Sequence, residues 1–182
     1  MKRLVAGLCL VLLCACSTAK YEKNADGSKP VLYPAKEVLR WPVTDGAHQS
    51  PSGGARIYID PSVKFEPDVQ LGDGVRIGAS STIEEDTILF PDVSVGRNTL
   101  VQGDNIVQGG VKIGNNVLMR GDSVIGPFTI IEDGATIGKQ SRIGKGVTIG
   151  AGSTVGPGSR IGDGAIVPKG KLLPPQTHIS AQ

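Results

Sequence analysis

Ile137-Gly138-Lys139-Gln140-Ser141-Arg142-Ile143-Gly144-Lys145-Gly146-Val147-Thr148-Ile149-Gly150-Ala151-Gly152-Ser153-Thr154 is three six-residue units in a row. Each opens on isoleucine, follows it with glycine, and carries a small or β-branched residue four places on. The same spacing runs outward in both directions. Marks on every sixth residue reach back through Met119, Ile113 and Leu89 to Ile59, and forward through Val155 and Ile161 to Val167. That gives 19 consecutive apolar positions without a slip, in a chain that is only 39% hydrophobic. A period of this length marks a repeat architecture and takes precedence over any other fold argument.

With the apolar position named i, residues i−2 and i alternate with outward neighbours, so both point to one face of a short strand. Position i+3 is Gly, Asn or Asp in 15 of the 19 units. These residues tolerate positive φ, so each unit ends in a tight turn. Three strand–turn units close a triangle. This pattern resembles the hexapeptide-repeat family, the left-handed parallel β-helix, over residues 59–172. The left-handed sense is what the resemblance implies; general crossover rules favour the opposite hand. The expected fold is all-β, about six triangular coils of 18 residues plus one side, a prism ~30 Å tall. Each buried aliphatic side chain contributes about 1.5–3 kcal/mol before entropy. Asn105 stands at an inward position and needs a hydrogen-bond partner. Phe128 occupies a turn position and should strain it or mark an altered corner.

The 19 basic and 17 acidic residues nearly balance and show no basic patch, which argues against a nucleic-acid partner. Aromatic residues make up only 4%, so the core must be aliphatic. The three cysteines, Cys9, Cys14 and Cys16, all lie in the first 16 residues, which leaves the body without a disulfide or a cysteine metal site. Lys2 and Arg3 precede an apolar run, Leu4 to Leu13, too short for a membrane span of ~20 residues but suited to an export signal. Leu13-Cys14-Ala15-Cys16 resembles the bacterial lipobox. The resemblance implies a signal peptide over residues 1–15, a lipid on Cys16, and, with Ser17 next, an outer-membrane anchor facing periplasm or cell surface. A diacylated, N-acylated cysteine would hold the membrane stably.

Residues 16–54 read as the lipidated cysteine followed by a tether, with Ser50-Pro51-Ser52-Gly53-Gly54 as a flexible joint. Within it, Ala35 to Trp41 is expected to form a turn or two of helix, and Trp41 to cover the open end of the repeat. The β-helix proper is assigned to residues 55–173. Pro174 and Pro175 are expected to stop it, leaving a short tail over residues 174–182.

Relatives with this repeat include acyltransferases that use a histidine base and γ-type carbonic anhydrases that bind a metal through three histidines. This chain has His48 in the linker and His178 in the tail, none in residues 55–172, and no inserted loop. Arg120-Gly121-Asp122 matches a short anhydrase segment without its histidines. The acidic groups Glu84-Glu85-Asp86 and Glu132-Asp133 read as solvated corners. No catalytic residue, metal or cofactor is therefore assigned. An exported protein would also not meet cytoplasmic acyl-CoA. Outward threonines Thr82, Thr136 and Thr154 share a column with leucines, which breaks the array an ice-binding face needs. What stands out is apolar and outward. Ile88, Ile106 and Val124 form one column at 18-residue spacing, and Leu100 and Leu118 form a second on another side. Such columns invite a partner, and the family resemblance implies a homotrimer. The expected function is a non-catalytic structural or binding and assembly module. The alternative is an acyltransferase-like enzyme acting on an envelope glycan.

Overall fold

The computed structural model of the chain describes residues 30–182, so the expected signal peptide over residues 1–15, Cys16 and the first part of the expected tether, up to residue 29, lie outside the described residues. From Arg56 to Ile179 the chain winds through 21 short strands in three parallel stacks of seven. Face I carries Arg56–Ile59, Arg76–Ile77 and their successors to Ile166–Val167; face II runs from Lys64–Phe65 to Leu172–Leu173; face III runs from Gln70–Gly72 to His178–Ile179. The 18-residue register holds throughout, as in Val95↔Ile113, Ile113↔Ile131 and Ile131↔Ile149. Every i+3 residue from Asp68 to Gln176 has positive φ, including Phe128 at 58°. Strand N–H groups donate to the next coil, for example Arg76 N–H to the Val93 carbonyl at 2.9 Å, while corner N–H groups such as Asn98 donate back to Ala79 at 2.9 Å.

The prism has seven coils rather than six, and its last two rungs correct the reading of the tail. Leu173 and Ile179 continue the six-residue ladder, pairing Val155↔Leu173 and Ile161↔Ile179. Pro174 and Pro175 do not stop it. Strand N–H groups bond forward, as Gly156 N–H does to Leu173, and the last coil has nothing ahead of it. A proline there forfeits no ladder bond. Pro61, Pro67, Pro91, Pro127 and Pro157 already occupy the same turn position as Pro175 in earlier coils.

The N-terminal end is closed. Leu32–Pro34 is a strand, not tether, and pairs antiparallel with Gln70–Gly72 on face III. A helical turn, Ala35–Val38, buries Ala35 and Val38 on the core, and Trp41 packs edge-on against Tyr33 with ring centroids 4.9 Å apart. Val43–Thr44 and Ala47–Gln49 form an antiparallel hairpin that extends face I. The joint at residues 50–54 is a folded turn, with Ser50 buried and its N–H bonded to Ala55 at 3.1 Å.

The interior stacks Ile, Leu and Val, with buried Ser, Thr and Asn completing the i+4 columns. These hydroxyls bridge coils: Ser81 Oγ donates to the Gly96 carbonyl at 2.7 Å and accepts from Thr99 N–H at 3.1 Å. Asn105 finds its partners in the same way, donating to the Gln102 carbonyl and accepting from Ser123 N–H at 3.0 Å. Asn105→Ala should leave that N–H and that carbonyl unmatched in a buried site and cost about 1–3 kcal/mol, read as a lower urea midpoint at unchanged slope. Phe128 holds its strained corner by laying its ring over Gly110, where a Cβ would meet ring carbons at 2.7 Å, with Lys145 Nζ 5.6 Å from the ring centre.

Candidate functional site

The edge where face II turns into face III gathers most of what the surface offers. On face III the outward residues descend as Gln70, Ile88, Ile106, Val124, Arg142, Arg160 and His178. On face II, Leu100 sits directly above Leu118, between Thr82 and Thr136. The two apolar columns therefore flank one edge of the prism. Ile88, Leu100, Ile106, Leu118 and Val124 are each half-buried, because rungs ~4.8 Å apart cover one another. More open apolar residues lie elsewhere: Ile130 and Ile166 on face I, and Leu172 at the last rung of face II.

Between the columns the edge is acidic in its upper half. Glu66, Asp68, Glu84, Glu85, Asp86, Asp104 and Asp122 follow one another down the corner positions. A hydrogen bond shared with Glu85 holds the Glu66 carboxyl above the usual range and lowers that of Glu85. Burial, then the charges of Asp122, Asp86 and Glu85, raise Asp104. The sign follows from linkage: a carboxyl raised by folding favours the folded state at low pH and loses that contribution as pH climbs through its folded value. Asp104→Asn should therefore raise the melting temperature at neutral pH. The gain should shrink in 1 M salt and disappear in acid, and it should be small because the carboxyl is only slightly desolvated and remains largely in contact with solvent.

Other acidic corners are structural. Asp133 accepts from Asn115 N–H at 2.7 Å, which lowers its carboxyl, and Glu132 accepts from Ala151 N–H at 2.9 Å. Asp73 and Asp163 cap Arg56 N–H and Lys145 N–H at 2.7 and 2.9 Å. Arg120-Gly121-Asp122 is an ordinary corner of the same edge, and no three His, Cys, Asp or Glu side chains among the described residues converge as a metal site.

The lower half of face III differs. Arg142, Arg160 and His178 stand in register along a shallow groove floored by Gly144 and Gly162. A tail assignment hid this histidine. It lies on a coil, and its Nδ1 is 3.3 Å from the Gln176 carbonyl. Donation from Nδ1 to that carbonyl leaves Nε2 as an acceptor. The six-residue count carried past Pro174 would have found it. His48 sits in the hairpin strand Ala47–Gln49, opposite Ile57, with a buried Nδ1 that has no hydrogen-bond partner among the described residues.

Residues 128–163 and 140–173 match the family model described as bacterial transferase hexapeptide, six repeats. The domain is a left-handed hexapeptide-repeat β-helix. Among solved structures, this β-helix is similar to the acetyltransferase domain of PglB from Neisseria gonorrhoeae. The identity is 26% and the TM-score 0.58, over 62% of this chain and 54% of that one. The same domain in complex with acetyl coenzyme A matches at 25% identity and TM-score 0.54, over 64% and 53%. The chain thus spans about half the length of these relatives. A search among curated proteins finds no match.

Proposed function

We propose that this β-helix is an acyltransferase-like enzyme of the bacterial envelope, with His178 as its base. The observation that carries the reading is the placement of His178 in register beneath Arg160 on a glycine-floored groove. The similarity to an acetyltransferase domain supports the reaction class. In this scheme Nε2 of His178 takes the proton from a glycan hydroxyl or amine as that atom attacks an acyl carbonyl. Arg142 and Arg160 hold an anionic group of either substrate. The leaving alkoxide or thiolate then recovers the proton. In this reading a lipid on Cys16 anchors the protein at the outer membrane, away from acyl-CoA, so the donor is an acyl ester or thioester of the envelope. The test is incubation of the purified chain with a short-chain acyl thioester and an amino-sugar oligosaccharide, with mass spectrometry of the glycan. Acylation above the enzyme-free rate supports the reading; its absence with both ester and thioester donors defeats it.

A second reading, a non-catalytic binding and assembly module, is favoured by the outward columns of Ile88, Ile106 and Val124 and of Leu100 and Leu118. It requires only that these columns meet a partner.

A further inference from the structure

The edge where face III turns into face I carries one misfit corner. From Asp68 to Gln176 the i+3 residues are Gly, Asn, Asp, Ser or Gln, except Phe128, at φ 58°. A phenylalanine in that conformation is strained, and its ring, seated on Gly110, stays 58% exposed. Strain combined with an exposed aromatic points to a use for the ring beyond holding the corner. Ile130, the next outward residue on face I, is 41% exposed, and Val124, the outward residue of face III before the corner, is half-buried. One rung is thus apolar right across the edge. Around it the edge is basic. Lys112 pairs in register with Ile130, and Arg142 with Val124; Arg160 follows one rung below Arg142, and Lys145 Nζ lies 5.6 Å from the Phe128 ring centre. The four rungs, residues 106–112, 124–130, 142–148 and 160–166, hold four basic residues and one acidic, net +3. The acidic one, Asp163, is tied to the Lys145 N–H at 2.9 Å. The acidic corners Glu84 to Asp86, Asp104 and Asp122 lie on a different edge, between faces II and III.

We infer that this edge docks on the surface of a bilayer rich in anionic lipid, with Phe128 and Ile130 at the headgroup boundary and Lys112, Arg142, Lys145 and Arg160 against the phosphates. An apolar pair flanked by long cationic side chains is the composition such a surface selects. The ring and the aliphatic chain enter the boundary, and the cations reach phosphates along their own apolar stems. Shape argues against a protein partner. The corner of a prism is convex and rigid, and one apolar rung cannot bury the ~800 Å² per partner of a standard interface. A fluid bilayer moulds itself to a ridge. Charge then sets the roll of the rod about its axis, because the acidic edge is turned away from the anionic surface. The inference goes beyond the enzymatic reading and does not depend on it. It bears on it in one way: the groove of Arg142, Arg160 and His178 opens beside the same edge, where a membrane-held glycan would meet it without leaving the surface.

The experiment reads depth in the bilayer. The full chain is reconstituted in vesicles of phosphatidylcholine and phosphatidylglycerol with brominated acyl chains. Tryptophan fluorescence is recorded, with the wild-type signal of Trp41 subtracted. Ile130→Trp places the reporter on the edge, and Thr136→Trp places it on face II, opposite that edge. Both are outward strand positions, which suit tryptophan, and circular dichroism checks the fold. Bromolipid should quench the reporter at 130 about twofold and leave that at 136 nearly unchanged. Quenching at 130 should fall by about half with Lys112→Glu, with Phe128→Asn, which suits the corner's φ, and in about 1 M salt. It should be lost in vesicles of phosphatidylcholine alone. Equal quenching at 130 and 136, or none at either, overturns the inference. So does quenching at 130 that is as strong in neutral vesicles as in anionic ones, or that survives either Lys112→Glu or Phe128→Asn. Acyl transfer is not part of this readout, so failure of the docking and failure of the enzymatic reading remain distinguishable.

Discussion

Gly126→Ala should cost about 3 kcal/mol, while Gly146→Ala, one coil further along the same edge, should cost about 1 kcal/mol. The contrast isolates coil spacing as a source of stability. A Cβ on Gly126 would lie 2.5 Å from the Gly144 carbonyl carbon and 2.7 Å from its oxygen and from Lys145 N. All three are backbone atoms, so no side chain can turn aside. Relief requires the two coils to part. They are tied on that edge by Gly126 N–H to the Ile143 carbonyl at 2.8 Å and by Gly146 N–H to the Pro127 carbonyl at 2.9 Å. Gly146 is a different case: a Cβ there meets nothing within 4 Å, and only its φ of +63° is costly. Gly146→Asn should recover most of that smaller loss, because asparagine visits the left-handed region more readily than alanine. Urea unfolding of the three variants supplies the comparison. Equal losses at 126 and 146 would mean that the coils slide apart easily and that the glycines after the apolar positions serve only conformational freedom.

The ladder from Ile59 was legible because its cause is local: one inward residue per side, repeated at the chain's own period. The register followed from it, and so did the neighbours across each face, Ile88 with Ile106 and Leu100 with Leu118. Three features were not legible. Pro174 and Pro175 looked like breakers because a proline removes a donor, but whether that donor has an acceptor depends on the coil's place in the stack. The cap strand Leu32–Pro34 has no period, since it pairs antiparallel to a single rung, Gln70–Gly72, and nothing repeats it. The groove around His178 depended on both corrections at once, because the histidine joins Arg142 and Arg160 only when the seventh coil exists.

If His178 is the base, His178→Gln should lower kcat for acyl transfer by roughly 10²–10⁴ and leave KM nearly unchanged. Glutamine preserves size and hydrogen bonding toward the Gln176 carbonyl, but it cannot accept a proton in the transition state. Two further variants separate chemistry from scaffold. His178→Ala opens space on an exposed strand at the end of the prism, and imidazole in the buffer should restore part of the rate; a structural role would give no such rescue. Arg160→Gln, one rung above, should raise KM with little change in kcat, because it removes an anion contact shared by ground and transition states. The pattern matters more than any single loss. A rate that survives His178→Gln shifts the base elsewhere, and His48, whose buried Nδ1 lacks a partner among the described residues, then becomes the next candidate. A fall in kcat without imidazole rescue would instead assign His178 to closing the seventh coil and return the groove to a binding role.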